Sequence, residues 1–130
     1  MIYPRPVCSL HQSFYLASYL FMEEPHFTVT EYLNCRKFIK RYYTLTQVVD
    51  LALLTALEGQ FGPAQVQAFS RYNPQAKDCL QIKTQDGVQI SGVIFGELLY
   101  FVTPTQMPGQ VEVFESVLKA WLNQQVRAAG

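Results

Sequence analysis

Two histidines, three cysteines and ten carboxylates are the side chains of this 130-residue chain best suited to acid–base, nucleophilic or metal chemistry. Cys8 and His11 stand one helical turn apart, with His26 and Cys35 further along. These are zinc-ligand types, but one close pair followed by loose spacing does not match the paired spacings of structural zinc sites, and no metal is assigned. Glu23, Glu24 and His26 place carboxylates near an imidazole, in a stretch that Pro25 marks as a loop, where such charges serve solvation as readily as proton transfer. Asp50 lies in the most apolar stretch of the chain. Facing a core, its pKa would rise through desolvation; sharing a stripe with Gln47 and Glu58, it faces solvent or caps a polar neighbour. There is no nucleophile elbow, no glycine-rich phosphate loop and no helical histidine pair. No catalytic residue and no cofactor is assigned.

Two other residue sets suit recognition. Arg36, Lys37, Lys40 and Arg41 interleave with Phe38, Tyr42 and Tyr43. Cations among aromatics are what phosphate contacts and base stacking use, so this stretch is the candidate for nucleic-acid contact. Phe95, Leu98, Tyr100 and Val102 form an apolar second face on a segment of strands, and Tyr15 and Tyr19 belong to an aromatic segment that is apolar on all sides. Together these six are the candidate interaction surface.

Ten Lys plus Arg balance ten Asp plus Glu, so no global field draws the chain to nucleic acid or an anionic membrane. A composition 49% hydrophobic and 14% aromatic leaves ample material for a core and some to spare for a partner. Three cysteines, an odd number in a chain large enough to fold without staples, fit a reducing compartment, and the expectation is a cytoplasmic protein. Pro4 and Pro6 stand where a signal peptide would be apolar, and the apolar run over 14–22 is too short to span a bilayer, so no membrane partner is expected.

The elements expected to position these residues form a single α+β domain over 1–130, with a mostly helical N-terminal half of about four helices. Ser9 and Gln12 resemble a capping box opening a helix over 10–22; Thr28 with Glu31 and Thr44 with Gln47 repeat the signal, predicting helices over 28–43 and from 44 onward. The second carries the four cations on its wet side, and the third is the central core helix, with Gly59 after its end. Pro63 opens a fourth helix reaching Tyr72. From Cys79 the period changes to two, predicting a three-stranded antiparallel meander. A two-residue Asp86-Gly87 turn would mix polar and apolar groups on each face. A three-residue loop, Gln85-Asp86-Gly87, sets Ile82 opposite Ile90 and Leu80 opposite Gly92. Gly96-Glu97 reads as the next tight turn. Val111, Phe114, Leu118, Trp121 and Leu122 mark a C-terminal amphipathic helix, with Glu115 and Lys119 paired on its wet side.

Spare apolar surface, neutral charge and missing catalytic motifs point to a non-catalytic protein-interaction or adaptor domain, homodimeric. A nucleic-acid-binding regulator using residues 36–41, and a small-molecule-binding domain with an aromatic-lined cavity, are the alternatives.

Overall fold

The computed structural model describes residues 13–16, 19–23, 27–33 and 36–129. Among these residues its centre is one eight-stranded antiparallel sheet of order β1-β2-β3-β4-β8-β7-β6-β5, with two α-helices and a short 3-10 turn. The strands are β1 (Ser13–Leu16), β2 (Tyr19–Glu23), β3 (Phe27–Tyr32), β4 (Phe38–Leu45), β5 (Gln65–Gln67), β6 (Cys79–Lys83), β7 (Gln89–Val93) and β8 (Leu98–Pro104); the helices are α1 (Leu51–Phe61) and α2 (Gly109–Ala129). The chain therefore builds two four-stranded halves, joined where β4 pairs β8.

The helical N-terminal half is overturned. In place of the helices expected over 10–22 and 28–43, the chain forms β1 to β4, because Phe, Tyr, Thr, Val and Ile predominate there and gain more from cross-strand neighbours than a helix offers them. In β3, Phe27 and Val29 are buried while Thr28 and Thr30 are less so, a period of two that the Thr28 to Glu31 capping signal obscures. The central helix exists but does not begin at Thr44. Strand β4 runs through Leu45, and α1 opens only at Leu51, where Asp50 caps it by accepting the Leu53 N–H at 2.9 Å. The helix ends at Gly62, in the left-handed region at φ 119°, and not at Gly59. The fourth helix is replaced by β5 and a 3-10 turn at Phe69–Arg71.

The strands expected after Cys79 are present, as part of the large sheet and not as a separate three-stranded meander. Ile82 does lie opposite Ile90 and Leu80 opposite Gly92. Thr84 and Val88 close the loop with Gly87 at φ 100°. The next turn differs: four residues link β7 to β8, and Phe95, not Gly96, takes the positive φ.

Both helices cover one sheet face. Phe114 of α2 stacks on Phe101 of β8 with centroids 4.4 Å apart, and Phe61 of α1 meets both rings edge-on or tilted at 6.3 Å. Such aromatic pairs contribute about 0.5–1.5 kcal/mol beyond their burial. Leu53, Leu57, Leu118 and Leu122 complete the layer over Val29, Tyr43, Ile82, Ile90 and Leu99. Gly92 is needed for this packing, since a Cβ there would come within 2.6 Å of Leu99 Cδ2. No helix among the described residues is long and apolar enough to cross a membrane.

Candidate interaction face

Strand alternation sorts β4 between two environments. Tyr43 and Arg41 point to the helices; Tyr42 and Lys40 lie on the opposite face, which carries no helix among the described residues and is termed the helix-free face. On the helix side, Arg41 donates from Nε to Glu31 and from Nη1 to Glu115, both at 2.6 Å, and the Tyr43 hydroxyl donates to the same Glu115 oxygen at 2.7 Å. Burial pushes the Tyr43 phenol well above its ordinary value; Glu115 adds to the rise and Arg41 opposes it. For Arg41, burial works against the charge but Tyr43 and Glu31 outweigh it, so its pKa is raised. Glu115 does not take the place expected for it on the wet side of α2 beside Lys119; the sheet claims it instead.

On the helix-free face, the cross-strand register lines side chains into rows. The first row runs Thr30, Tyr42, Tyr100, Ser91, Gln81, Gln65 across β3, β4, β8, β7, β6 and β5. Tyr42 and Tyr100 are direct partners, with ring centroids 4.5 Å apart. The neighbouring row contains Thr28, Thr44 and Leu98, then Val93, Cys79 and Gln67. Between them lies a trough of about 410 Å³, walled by Tyr42, Leu98 and Tyr100 on one side and by the Gln65, Gln67 and Gln81 amides on the other. Among the described residues its lining includes no carboxylate, imidazole or cation. Such a lining can stack, bury apolar surface and hydrogen-bond neutral groups; it holds no proton-transfer pair.

Of the candidate surface residues, Leu98, Tyr100 and Val102 fall on this face. Leu98 is 53% exposed and lines the trough with Tyr100. Val102, between Lys40 and Gln89 in the next row, is only 6% exposed. Phe95 sits in the β7–β8 turn at φ 66°, 59% exposed, its N–H bonded to the Val49 carbonyl at 2.7 Å. Tyr15 and Tyr19 fall in β1 and β2, opposite Leu20 and Tyr32; their side chains lie outside the described residues. Sequence reasoning places Tyr42 in a basic helix and misses its position here; a two-residue period through Lys40, Tyr42 and Thr44 is the signal that could have found it.

The four cations are not on a helix and do not share a face. Arg36 and Lys37 precede β4 and border a depression of about 510 Å³ with Asp86 and Gly87, Lys40 lies on the helix-free face, and Arg41 is held by two carboxylates. Asp50 is partly exposed and takes the capping role of the two expected for it, though at the start of α1: besides capping α1, it accepts from Trp121 Nε1 at 3.0 Å and Gln125 Nε2 at 3.3 Å. Cys8, His11, Glu24, His26 and Cys35 lie outside the described residues, as does the Glu23 side chain. Among the described residues, no group of three or more His, Cys, Asp or Glu could hold a metal.

No protein-family model, curated protein or solved structure matches this chain.

Proposed function

We propose that this chain is a non-catalytic protein-interaction domain, homodimeric and cytoplasmic, that docks a protein partner on the helix-free face of its sheet. One observation carries the proposal. An antiparallel sheet with helices on a single side ordinarily turns polar residues to water on the other, yet here Tyr42, Tyr100, Leu98 and Val93 cluster at the junction of the two half-sheets. Tyrosine-rich apolar patches without charge are the composition of interface centres, where aromatic rings bury large areas at low entropic cost. A free Cys79 thiol on the same face suits a reducing compartment.

The test is a photo-crosslinking amino acid placed at position 98 in source cells, with position 51, exposed on α1, as control. Defined protein adducts from 98 and none from 51 are expected; equal or absent labelling at both refutes the docking face.

A second reading, a small-molecule site, is favoured by the trough itself, whose volume falls in the range of ligand pockets. Native mass spectrometry of the purified protein separates the two. A monomer carrying a small molecule that is lost on Tyr42→Ala would replace the interaction domain with a ligand-binding one.

A further inference from the structure

We infer that two copies of this chain pair through β5, edge to edge, into one continuous sheet. This rests on the homodimeric reading and names its interface. β5 closes one end of the sheet order, so alternate backbone N–H and C=O groups along it meet no strand on the outer side among the described residues. Exposed edges of this kind are ordinarily guarded by charge, proline, a bulge or a covering element. β5 is itself short, at three residues, and the Glu58 carboxylate accepts the Ala64 N–H just before it, but within Gln65–Gln67 there is no charge, proline or bulge: all three residues are exposed and Val66 leaves 46% of its surface to solvent.

The local sequence specifies the occupant. Residues 64–68 read Ala-Gln-Val-Gln-Ala, the same in both directions. An antiparallel pair about a two-fold axis through Val66 sets Val66 opposite Val66 of the second copy, Gln65 opposite Gln67 and Ala64 opposite Ala68. Every opposed pair is then of like type, with a β-branched pair at the centre, amide pairs on either side and no charge clash. A foreign strand would have no reason to match this palindrome; a second copy matches it by symmetry.

The two-fold stands perpendicular to the sheet, as in any antiparallel strand pair, so both helix-free faces look the same way. The trough of each copy ends at Gln65 and Gln67. In the pair, those amides meet the amides of the second copy, and the two troughs join along one floor with a tyrosine pair near each end. The docking face is thereby doubled without either copy covering the other's.

The experiment is sedimentation equilibrium over a wide concentration range with wild type, V66K, V66E, an equimolar mixture of the two variants, and L98D. Wild type should dimerise; V66K and V66E alone should each dimerise roughly tenfold more weakly, since each loses the apolar pair and sets like charges face to face. The mixture should restore association, because only a partner residue directly opposite position 66 can turn two repulsions into one attraction, and L98D should leave the dimer intact. A wild-type protein monomeric at high micromolar concentration overturns both this inference and the homodimeric reading. A dimer indifferent to both position-66 variants but lost in L98D keeps the homodimer and overturns the β5 pairing. Should the variants fail to fold, hydrogen exchange on the wild type decides: protection of the 65–67 amides that rises with protein concentration supports the pairing, and protection independent of concentration refutes it.

Discussion

Asp50→Ala should be among the most damaging single changes outside the apolar core, and the size of its effect follows from three bonds. The carboxylate accepts from the Leu53 N–H, from the Trp121 indole and from the Gln125 amide. Loss of the N-cap costs about 1 kcal/mol. The indole N–H is then left without an acceptor on a side chain that is 3% exposed, which costs about 1–3 kcal/mol. Gln125 is partly exposed and can turn to water, so it adds little. The total is about 2–4 kcal/mol. With about 2.1 cal/mol/K of unfolding entropy per residue, the Tm should fall by about 7–15 °C for a domain of this size. Thermal melts followed by circular dichroism give the stability, and emission from the single tryptophan reports the local environment. Asp50→Asn keeps an acceptor oxygen and should cost less than about 1 kcal/mol. In a double-mutant cycle with Trp121→Phe, the two losses should overlap by about 1 kcal/mol or more, because the second change removes the stranded donor. An Asp50→Ala protein within about 0.5 kcal/mol of wild type, or a strictly additive cycle, would refute the shared-acceptor account.

Folding holds the Tyr43 phenol neutral, so its contribution is complete below the ordinary phenol pKa of about 10 and is lost as pH rises beyond it, at up to about 1.36 kcal/mol per pH unit; denaturant melts between about pH 10 and 11.5 should slope less steeply for Tyr43→Phe than for wild type. Glu115→Ala strands the Tyr43 hydroxyl and one arm of Arg41 and should cost about 2–4 kcal/mol in urea unfolding, with Glu115→Gln losing less because an acceptor remains. Gly92→Ala forces a methyl against Leu99 and should cost about 1–3 kcal/mol, read as a lower denaturation midpoint. Phe95→Asn relieves the left-handed backbone and should stabilise the fold by about 0.5–1 kcal/mol, read as a higher denaturation midpoint.

The β6–β7 hairpin and the C-terminal helix were legible in the chain because their signals are local and agree with one another, whereas the helix expected over 63–72 and the Gly96-Glu97 turn were not found. The Gln85-Asp86-Gly87 loop permits one register that segregates apolar from polar residues, and Ile82 does meet Ile90. Val111, Phe114, Leu118, Trp121 and Leu122 recur at helical spacing with no competing period, and all five are buried against the sheet. The N-terminal half was not legible. Its Phe, Tyr, Thr and Val residues are apolar or amphipathic at both periods, and Thr-x-x-Glu and Thr-x-x-Gln signals suggest helix starts where strand pairing prevails. A capping box is worth about 1 kcal/mol, whereas β3 and β4 each gain a full ladder and a buried face from partners elsewhere in the chain. The candidate face depended on the same decision. Tyr42 and Tyr100 are far apart in sequence and belong to different half-sheets; only the β4–β8 pairing sets their rings together, and only the alternation of β4 divides its side chains, sending Arg41 and Tyr43 to the half-buried ion cluster and Tyr42 to the trough. Local chemistry chooses a hairpin or an amphipathic helix, but which face of a sheet stays open is settled by where the helices land, and that is a property of the whole packed chain.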